Sequence, residues 1–196
     1  MEQEAEALRK QDGGEINASP FANPVIAAGY EAWYHTIGRR ADRQEKALLR
    51  GLLAVGLDLY RPMLDEAVSL SRPVYLRGDA LALPFLSKSF DLVAQITTLE
   101  FLPEPLQALA EALRVARQGI ILGVLNADSC LGREYKLAGG PIWEAARFFT
   151  PDELICMIRR VAGEKTRVIW RTTLWPFWPG TLPLPWGGFI GMAVKI

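Results

Sequence analysis

No two of the 17 glycines in this 196-residue chain stand at i and i+2, so the sequence contains no G-x-G. That absence removes the turn through which most nucleotide-binding α/β proteins let a phosphate approach the backbone. Histidine occurs once, at His35, and cysteine twice, at Cys130 and Cys156. There is thus no Cys/His cluster for zinc and no C-x-x-C, and no metal site is expected. A Ser-His-Asp triad would have to use His35 and has no G-x-S-x-G elbow beside it, which disfavours serine hydrolysis. Two distant cysteines make no disulfide framework, and M-E-Q-E-A-E lacks a basic stretch followed by an apolar one, so the expected compartment is the cytoplasm. Charge of either sign is not in excess: Lys plus Arg equals Asp plus Glu at 22 each. That balance gives no reason to expect a nucleic acid or an anionic membrane as partner, and a small molecule fits better.

What is present describes one folded domain. Half the residues are apolar and 22% are charged, a composition that supports a sizeable core. Residues 1–19 are polar and without period and read as a loose arm, leaving 20–196 as the domain. Leu174 to Val194 carries no charge over a length that would span a bilayer, but Pro176, Pro179, Pro183 and Pro185 interrupt it. A spanning helix is therefore rejected. The segment reads as a buried hairpin with an aromatic loop, the rival being a membrane-touching lip built from Trp175, Trp178 and Trp186.

Periodicity places the elements. Tyr30, Trp33 and Tyr34 share a helix-like spacing in Phe21–Tyr34. Asp42-Arg43-Gln44-Glu45 reads as a capping box, opening a helix with Leu48, Leu49, Leu52 and Leu53 on its apolar side. Strands are expected at Val55–Leu59, Val74–Arg77, Phe90–Ile96 and Ile120–Leu125. Helices are expected at Pro62–Leu70 and from beyond Pro105 to Val115 or Ala116. Thr150-Pro151-Asp152-Glu153 is a second capping box, with Gly163 as the terminator of its helix. Arg167–Thr173 and Phe189–Lys195 then follow as two strands without a helix between them. Alternating strands and helices ending in such a pair predict an α/β fold, a mostly parallel sheet with a C-terminal antiparallel hairpin.

Open parallel sheets bind ligands beyond the carboxyl ends of their strands. Asp58 closes V-G-L-D, Asp79 follows V-Y-L-R-G, and Gln95 to Thr98 close D-L-V-A-Q-I-T-T. A carboxylate in such a place can accept from both vicinal hydroxyls of a ribose, and another, one strand over, from an adenine amine. Singly, such residues are more often turn or cap residues.

The strings V-G-L-D-L-Y-R-P-M-L-D-E-A, V-Y-L-R-G-D-A-L-A-L-P-F and S-F-D-L-V-A-Q-I-T-T-L-E-F-L-P-E-P together resemble the class I S-adenosylmethionine-dependent methyltransferases. Within that class the resemblance is to the type 11 group, which includes quinone-biosynthesis enzymes. Trp143–Leu154 and the terminal strand pair also resemble it. The resemblance implies a Rossmann-like sandwich and S-adenosylmethionine as cofactor. It assigns Asp58 to the ribose and Asp79, with Ala80, to the adenine. It assigns Gln95, Ile96 and Thr97 to the methyl-donor pocket, and N-terminal aromatics such as Tyr30, Trp33 and Tyr34 to a cover. It names no catalytic residue; if the acceptor needs a base, His35 and Glu100 are the candidates, and each has a structural reading as well.

The resemblance also locates the missing glycines. The family's first strand ends in a glycine-rich turn, yet here the expected helix reaches Leu53 and the next strand begins at Val55. About 25 residues, the size of a strand-turn-helix portion, are wanting there. Either that segment lies outside this sequence, or it has been lost, or Gly51 ends the helix and Leu52–Leu59 moves into the central position. The expected function is methyl transfer to a small, hydrophobic or aromatic molecule; the alternative is a non-catalytic scaffold of the same fold. A nicotinamide-dependent enzyme is a weaker third, since it too needs the glycine turn.

Overall fold

The computed structural model describes residues 19–35, 55–70, 74–174 and 180–196, with the backbone alone at 30–35, 69 and 70. The polar arm, the capping box at Asp42, the helix expected to follow it, and Trp175 and Trp178 lie outside the described residues.

The elements follow in the expected alternation: α1 (Pro24–His35), β1 (Val55–Asp58), α2 (Arg61–Leu70), β2 (Val74–Arg77), β3 (Phe90–Ile96), α3 (Pro105–Val115) and β4 (Ala116–Leu125), then α4 (Cys130–Ala138), α5 (Gly140–Ala145), α6 (Pro151–Ala162), β5 (Arg167–Thr173) and β6 (Phe189–Lys195). Two helices, α4 and α5, had no sequence expectation. β4 begins four residues ahead of the expected Ile120, because α3 ends at Val115 and Ala116 is already extended, paired with Phe90.

β3, β4, β6 and β5 form one sheet in that order, parallel between β3 and β4 and antiparallel across β4–β6–β5. The C-terminal hairpin thus stands at one edge with its second strand inserted beside β4. Ile120, Leu122 and Val124 alternate along β4 with Ile190, Met192 and Val194 opposite on β6, and all six are buried. They meet Leu109 and Ala112 of α3 and Leu154 and Ile158 of α6 in one core, closed by Phe149. The other face of this sheet is thinly covered: Leu92 of β3 is 52% exposed, Ile169 of β5 is 49% exposed, and Ala94 and Ala193 are exposed.

β1 and β2 form a separate parallel pair, Val55–Asp58 matched residue for residue with Val74–Arg77. Among the described residues no ladder joins β1 to β3. Val55–Asp58 therefore has not moved into a central position between its neighbours, and the two halves of the sheet stand apart. Among the described residues, the following contacts link them. Phe21 stacks edge-on against Phe101, just past β3, at 4.7 Å between ring centres. α1, which follows Phe21, packs on α2. The segment from Gly78 to Ser89 crosses from β2 to β3.

The second capping box is present as read: Thr150 Oγ1 accepts from Glu153 N at 3.2 Å, and Glu153 Oε2 accepts from Thr150 N at 3.1 Å. Gly163 terminates α6 at φ +94°, a backbone few other residues take. Thr150→Ala should lower the unfolding free energy by about 1 kcal/mol, measured as an earlier urea midpoint with an unchanged slope.

Candidate cofactor site

The carboxyl ends of β1 and β2 are laced together by backbone and side chain. Gly78 N donates to Asp58 O at 3.0 Å, and Arg77 Nε donates to Leu59 O at 3.0 Å. Asp58 therefore sits at a defined point one strand from Asp79. Its Oδ1 accepts from Tyr60 N at 2.8 Å. Burial pushes the Asp58 carboxyl above its ordinary range, while the N–H groups of Tyr60 and Leu59 pull it down by less. Two backbone donors do not exhaust a carboxylate, which has about four lone-pair sites. A desolvated carboxylate with acceptor capacity left over suits a pair of hydroxyls.

Asp79 opens a tight turn. Its Oδ1 accepts from Leu81 N at 2.8 Å and its carbonyl accepts from Ala82 N at 3.1 Å, with half-buried Ala80 between. The turn is stitched to α3. Gln107 Nε2 donates to Leu81 O at 3.2 Å, and Glu111 Oε2 accepts from Leu83 N at 2.8 Å. Arg114 donates to Leu83 O at 3.0 Å and Phe85 O at 2.8 Å, and its Nε donates to Glu111 Oε1 at 2.7 Å. Hydrogen bonding to Arg114 holds the Glu111 carboxyl below its usual range. This pair, which positions Asp79, was not singled out from the sequence. Its only trace there is a Glu and an Arg three apart on a helix, a pattern that ordinarily signals no more than a surface pair.

Past β3, Thr97 has φ +49°, and its N–H donates to Gly123 O of β4 at 2.7 Å. A β-branched residue in the left-handed region is strained, and such strain gathers at functional sites. Gln95 lies two residues earlier and is turned elsewhere. It is 6% exposed, its Nε2 donates to Ala108 O of α3 at 3.2 Å, and its Oε1 is buried without a donor. Ile96 is half-buried, its side chain close against Gly123 of β4. The Tyr30, Trp33, Tyr34 and His35 side chains lie outside the described atoms, although α1 itself is placed.

Glu100 is 1% exposed, and its Oε1 accepts from Leu125 N at 2.7 Å. Its carbonyl accepts from Arg147 N at 2.8 Å. Glu100 thus clamps the end of β4 from inside the protein, an arrangement suited to structure rather than to taking a proton from an acceptor. Asn126, fully buried, does related work: its Nδ2 donates to Pro185 O and, at 2.8 Å, to Gly187 O, tying the Trp186 loop to the end of β4. Trp186 itself is 60% exposed. No helix of the described residues is long and apolar enough to cross a membrane.

The fold and the laced strand ends define an open α/β methyltransferase-type domain. The family profile described as "Methyltransferase domain" matches residues 37–123. A chain from Thermotoga maritima, described as a SAM-dependent methyltransferase and possible histamine N-methyltransferase, superposes with a TM-score of 0.72 at 24% identity. The match covers 88% of this chain and 97% of that one. Among curated proteins, an uncharacterised protein of Methanocaldococcus jannaschii is 31% identical over 114 residues, 56% of this chain and 55% of its own. The demethylmenaquinone methyltransferase of Roseiflexus sp. (strain RS-1) is 32% identical over 114 residues, 57% of this chain and 44% of its own. The chain therefore spans about half the length of the curated relatives it matches. Residues 37–123 thus match a methyltransferase domain, and the fold is that of S-adenosylmethionine-dependent methyltransferases. The acceptor capacity left at Asp58 and Asp79 is of the kind an adenosine would use. Among the described residues no glycine-rich turn offers bare backbone to the methionine end of S-adenosylmethionine.

Thr97→Gly should raise the unfolding free energy by about 1 kcal/mol through relief of φ strain, read as a later urea midpoint. A lower midpoint would show that the Thr97 side chain contributes more than its backbone costs.

Proposed function

We propose that this domain transfers a methyl group from S-adenosylmethionine to a small, apolar or aromatic acceptor. In this reading Asp58 accepts the ribose hydroxyls, Asp79 accepts the adenine amine beside Ala80, and Tyr30 of α1 covers the cofactor. Thr97 borders the sulfonium, and Gln95 supports that wall from behind through its bond to α3. The observation that carries the reading is the placement of two carboxylates on adjacent paired strand ends, one of them desolvated and only partly satisfied.

When bound, the cofactor would supply an electrophilic methyl on a sulfonium leaving group, open to a lone pair of the acceptor. The protein's own work is positional: it fixes the adenosine end, orients the donor and excludes water, so that the acceptor meets the methyl in line. Glu100, tied to Leu125 N, is not offered as the base. An acceptor that loses its proton to solvent, or needs to lose none, is consistent with that. Exposed Trp186, Leu184 and the thinly covered apolar surface support an apolar acceptor, as does the name of the Roseiflexus relative, whose acceptor is demethylmenaquinone.

Asp58→Asn tests the ribose assignment. It retains an acceptor for Tyr60 N–H and loses the charge. Affinity for S-adenosylmethionine, measured by calorimetry, should fall about 10- to 100-fold, as expected for charge-assisted hydrogen bonds. Unchanged affinity would show that the ribose lies elsewhere. The pH dependence has a definite sign. The folded-state carboxyl is raised above its ordinary 3.8, so Asp58 contributes stability that is fully present below that value and is lost as pH rises through the raised one. At neutral pH the variant should therefore unfold at a higher urea concentration than the parent. Cofactor affinity in the parent should run the other way, falling as pH drops through the raised value, and do so at higher pH than an ordinary aspartate would cause.

A further inference from the structure

We propose that the cavity between α4 and the segment ahead of α6 binds the carboxylate of a small apolar or aromatic acid, so that the acceptor of this domain is an organic anion rather than an amine or a neutral molecule. The inference rests on the methyltransferase reading only for the ligand's role as acceptor; the site itself is argued from the residues that build it.

The site belongs to a unit that the main core does not need. α4 and α5 stand between β4 and α6, yet no residue from Ala127 to Phe148 enters the core that joins the sheet to α3 and α6. They close a smaller cluster instead, in which Leu125, Ala146 and Phe148 are buried against Phe101, Tyr135 and Trp143. Tyr135 and Trp143 stack at 4.3 Å with 6° between their planes, which fixes α5 against α4. The unit springs from the carboxyl end of β4. Thr97 N donates to Gly123 O of that strand, and Arg147 N donates to Glu100 O in the turn that follows β3. The unit therefore stands at the ligand-binding edge of the sheet, next along from Thr97.

Its cavity has a volume of about 490 Å³, within the range of small-molecule sites. The lining divides into two kinds of residue. Ala127, Leu137 and Phe148 are apolar, and Leu137 is 87% exposed. Arg133, Lys136 and Arg147 are cationic, and no carboxylate lines the cavity with them.

Basic residues on a solvated helix face need no ligand, but these are held. Lys136 Nζ turns inward to donate to Ala146 O and, at 3.4 Å, to Trp143 O, and it lies 4.7 Å from the centre of the Phe148 ring. Carbonyls and a ring orient an ammonium without bringing a countercharge, and the ammonium has a third donor to give. Arg133 makes no ion pair among the described residues; its Nη2 reaches Cys130 Sγ, at 3.8 Å. Of the three, only Arg147 has an acidic neighbour, Glu153 Oε1 at 3.4 Å, and the other oxygen of Glu153 is engaged in the cap of α6.

The cavity thus offers cations in excess of their counterions beside an apolar wall. A carboxylate can accept from the ammonium and a guanidinium together, while an apolar or aromatic body covers Phe148 and Leu137. A protonated amine would meet like charge there and find no acid to pair with.

The test uses the 196-residue chain and a set of probes of one shape: 3-phenylpropionate, 3-phenylpropanamide and 3-phenylpropylamine. Binding is read by calorimetry and by the methyl resonances of Leu137. The acid should bind about tenfold or more tighter than the amide, as charge-assisted hydrogen bonds allow, and the amine should bind more weakly still. Leu137 methyl signals should shift as the acid binds. Arg133→Glu should abolish the preference for the acid over the amide and leave the urea midpoint unchanged, and Arg133→Gln should reduce that preference about threefold. Equal affinity for acid and amide would overturn the proposal. So would acid binding that leaves Leu137 unmoved or that survives Arg133→Glu undiminished. Acid binding in a chain that does not bind S-adenosylmethionine would leave the site standing and remove the methyltransferase reading. S-adenosylmethionine binding with no discrimination among the probes would do the reverse.

Discussion

A strand in a parallel sheet needs its backbone groups paired on both edges and its side chains covered on both faces, and how far each strand meets that demand orders the whole molecule. β4 meets it completely. It is laddered to β3 and β6, and Ile120, Leu122 and Val124 are out of water against α3 and α6. The C-terminal half of the fold is built outward from it: the hairpin that pairs with it, Phe149 at its end, and the Glu100 and Asn126 clamps on its last residues. Among the described residues β3 and β1 meet the demand on one side only, and the candidate site lies at the carboxyl ends of β1, β2 and β3.

That division explains where polar side chains are spent. At the end of β4 they are turned into the protein: Glu100 Oε1 on Leu125 N, Asn126 on the Trp186 loop, Ser129 accepting from Gly132 N at the start of α4. At the ends of β1 and β2 they are only partly engaged. Asp58 has two backbone donors and a desolvated charge, and Asp79 one. Buried polar groups that are fully satisfied stabilise a structure; partly satisfied ones cost stability and are kept where something else binds. Two partly engaged aspartates on adjacent strand ends are a stronger pointer to the ligand's place than either alone.

Much of this was legible in the sequence where a local rule and the global fold agree. Thr150-Pro151-Asp152-Glu153 forms the expected box because cap, first-turn proline and acidic residues all favour the same helix start. β2, β3, β5 and β6 fall on their expected bounds because continuous apolar or alternating runs end at clear breaks. The helix at Cys130–Ala138 was missed because Gly132 sits inside it and reads as a breaker. It is there because a β-carbon would come within 2.2 Å of Asn126 O, so tertiary approach overrides helix propensity. Arg114 was illegible for another reason: its partners are carbonyls 29 and 31 residues away, which no local spacing encodes. Gln95, placed by resemblance near the methyl donor, is turned to Ala108 O instead, since alternation along β3 sends it to the helix-covered face with Val93.

The missing G-x-G and the divided sheet are two views of one deficit. A glycine turn at the reversal point exists to bring backbone close to a ligand, and the strand before it exists to put that turn between the neighbours' carboxyl ends. Losing the glycines alone would leave a continuous sheet with a blocked crevice. Here β1 is paired with β2, β3 is paired with β4, and Leu92 and Ala94 face water, so among the described residues no strand stands between β1 and β3. Because each half keeps its own hydrogen bonds and its own helix, the deficit does not propagate: α3 still holds the Asp79 turn through Glu111 and Arg114. The domain is in this sense modular along the sheet, and the proposed adenosine contacts at Asp58 and Asp79 depend on β1, β2 and α3 alone.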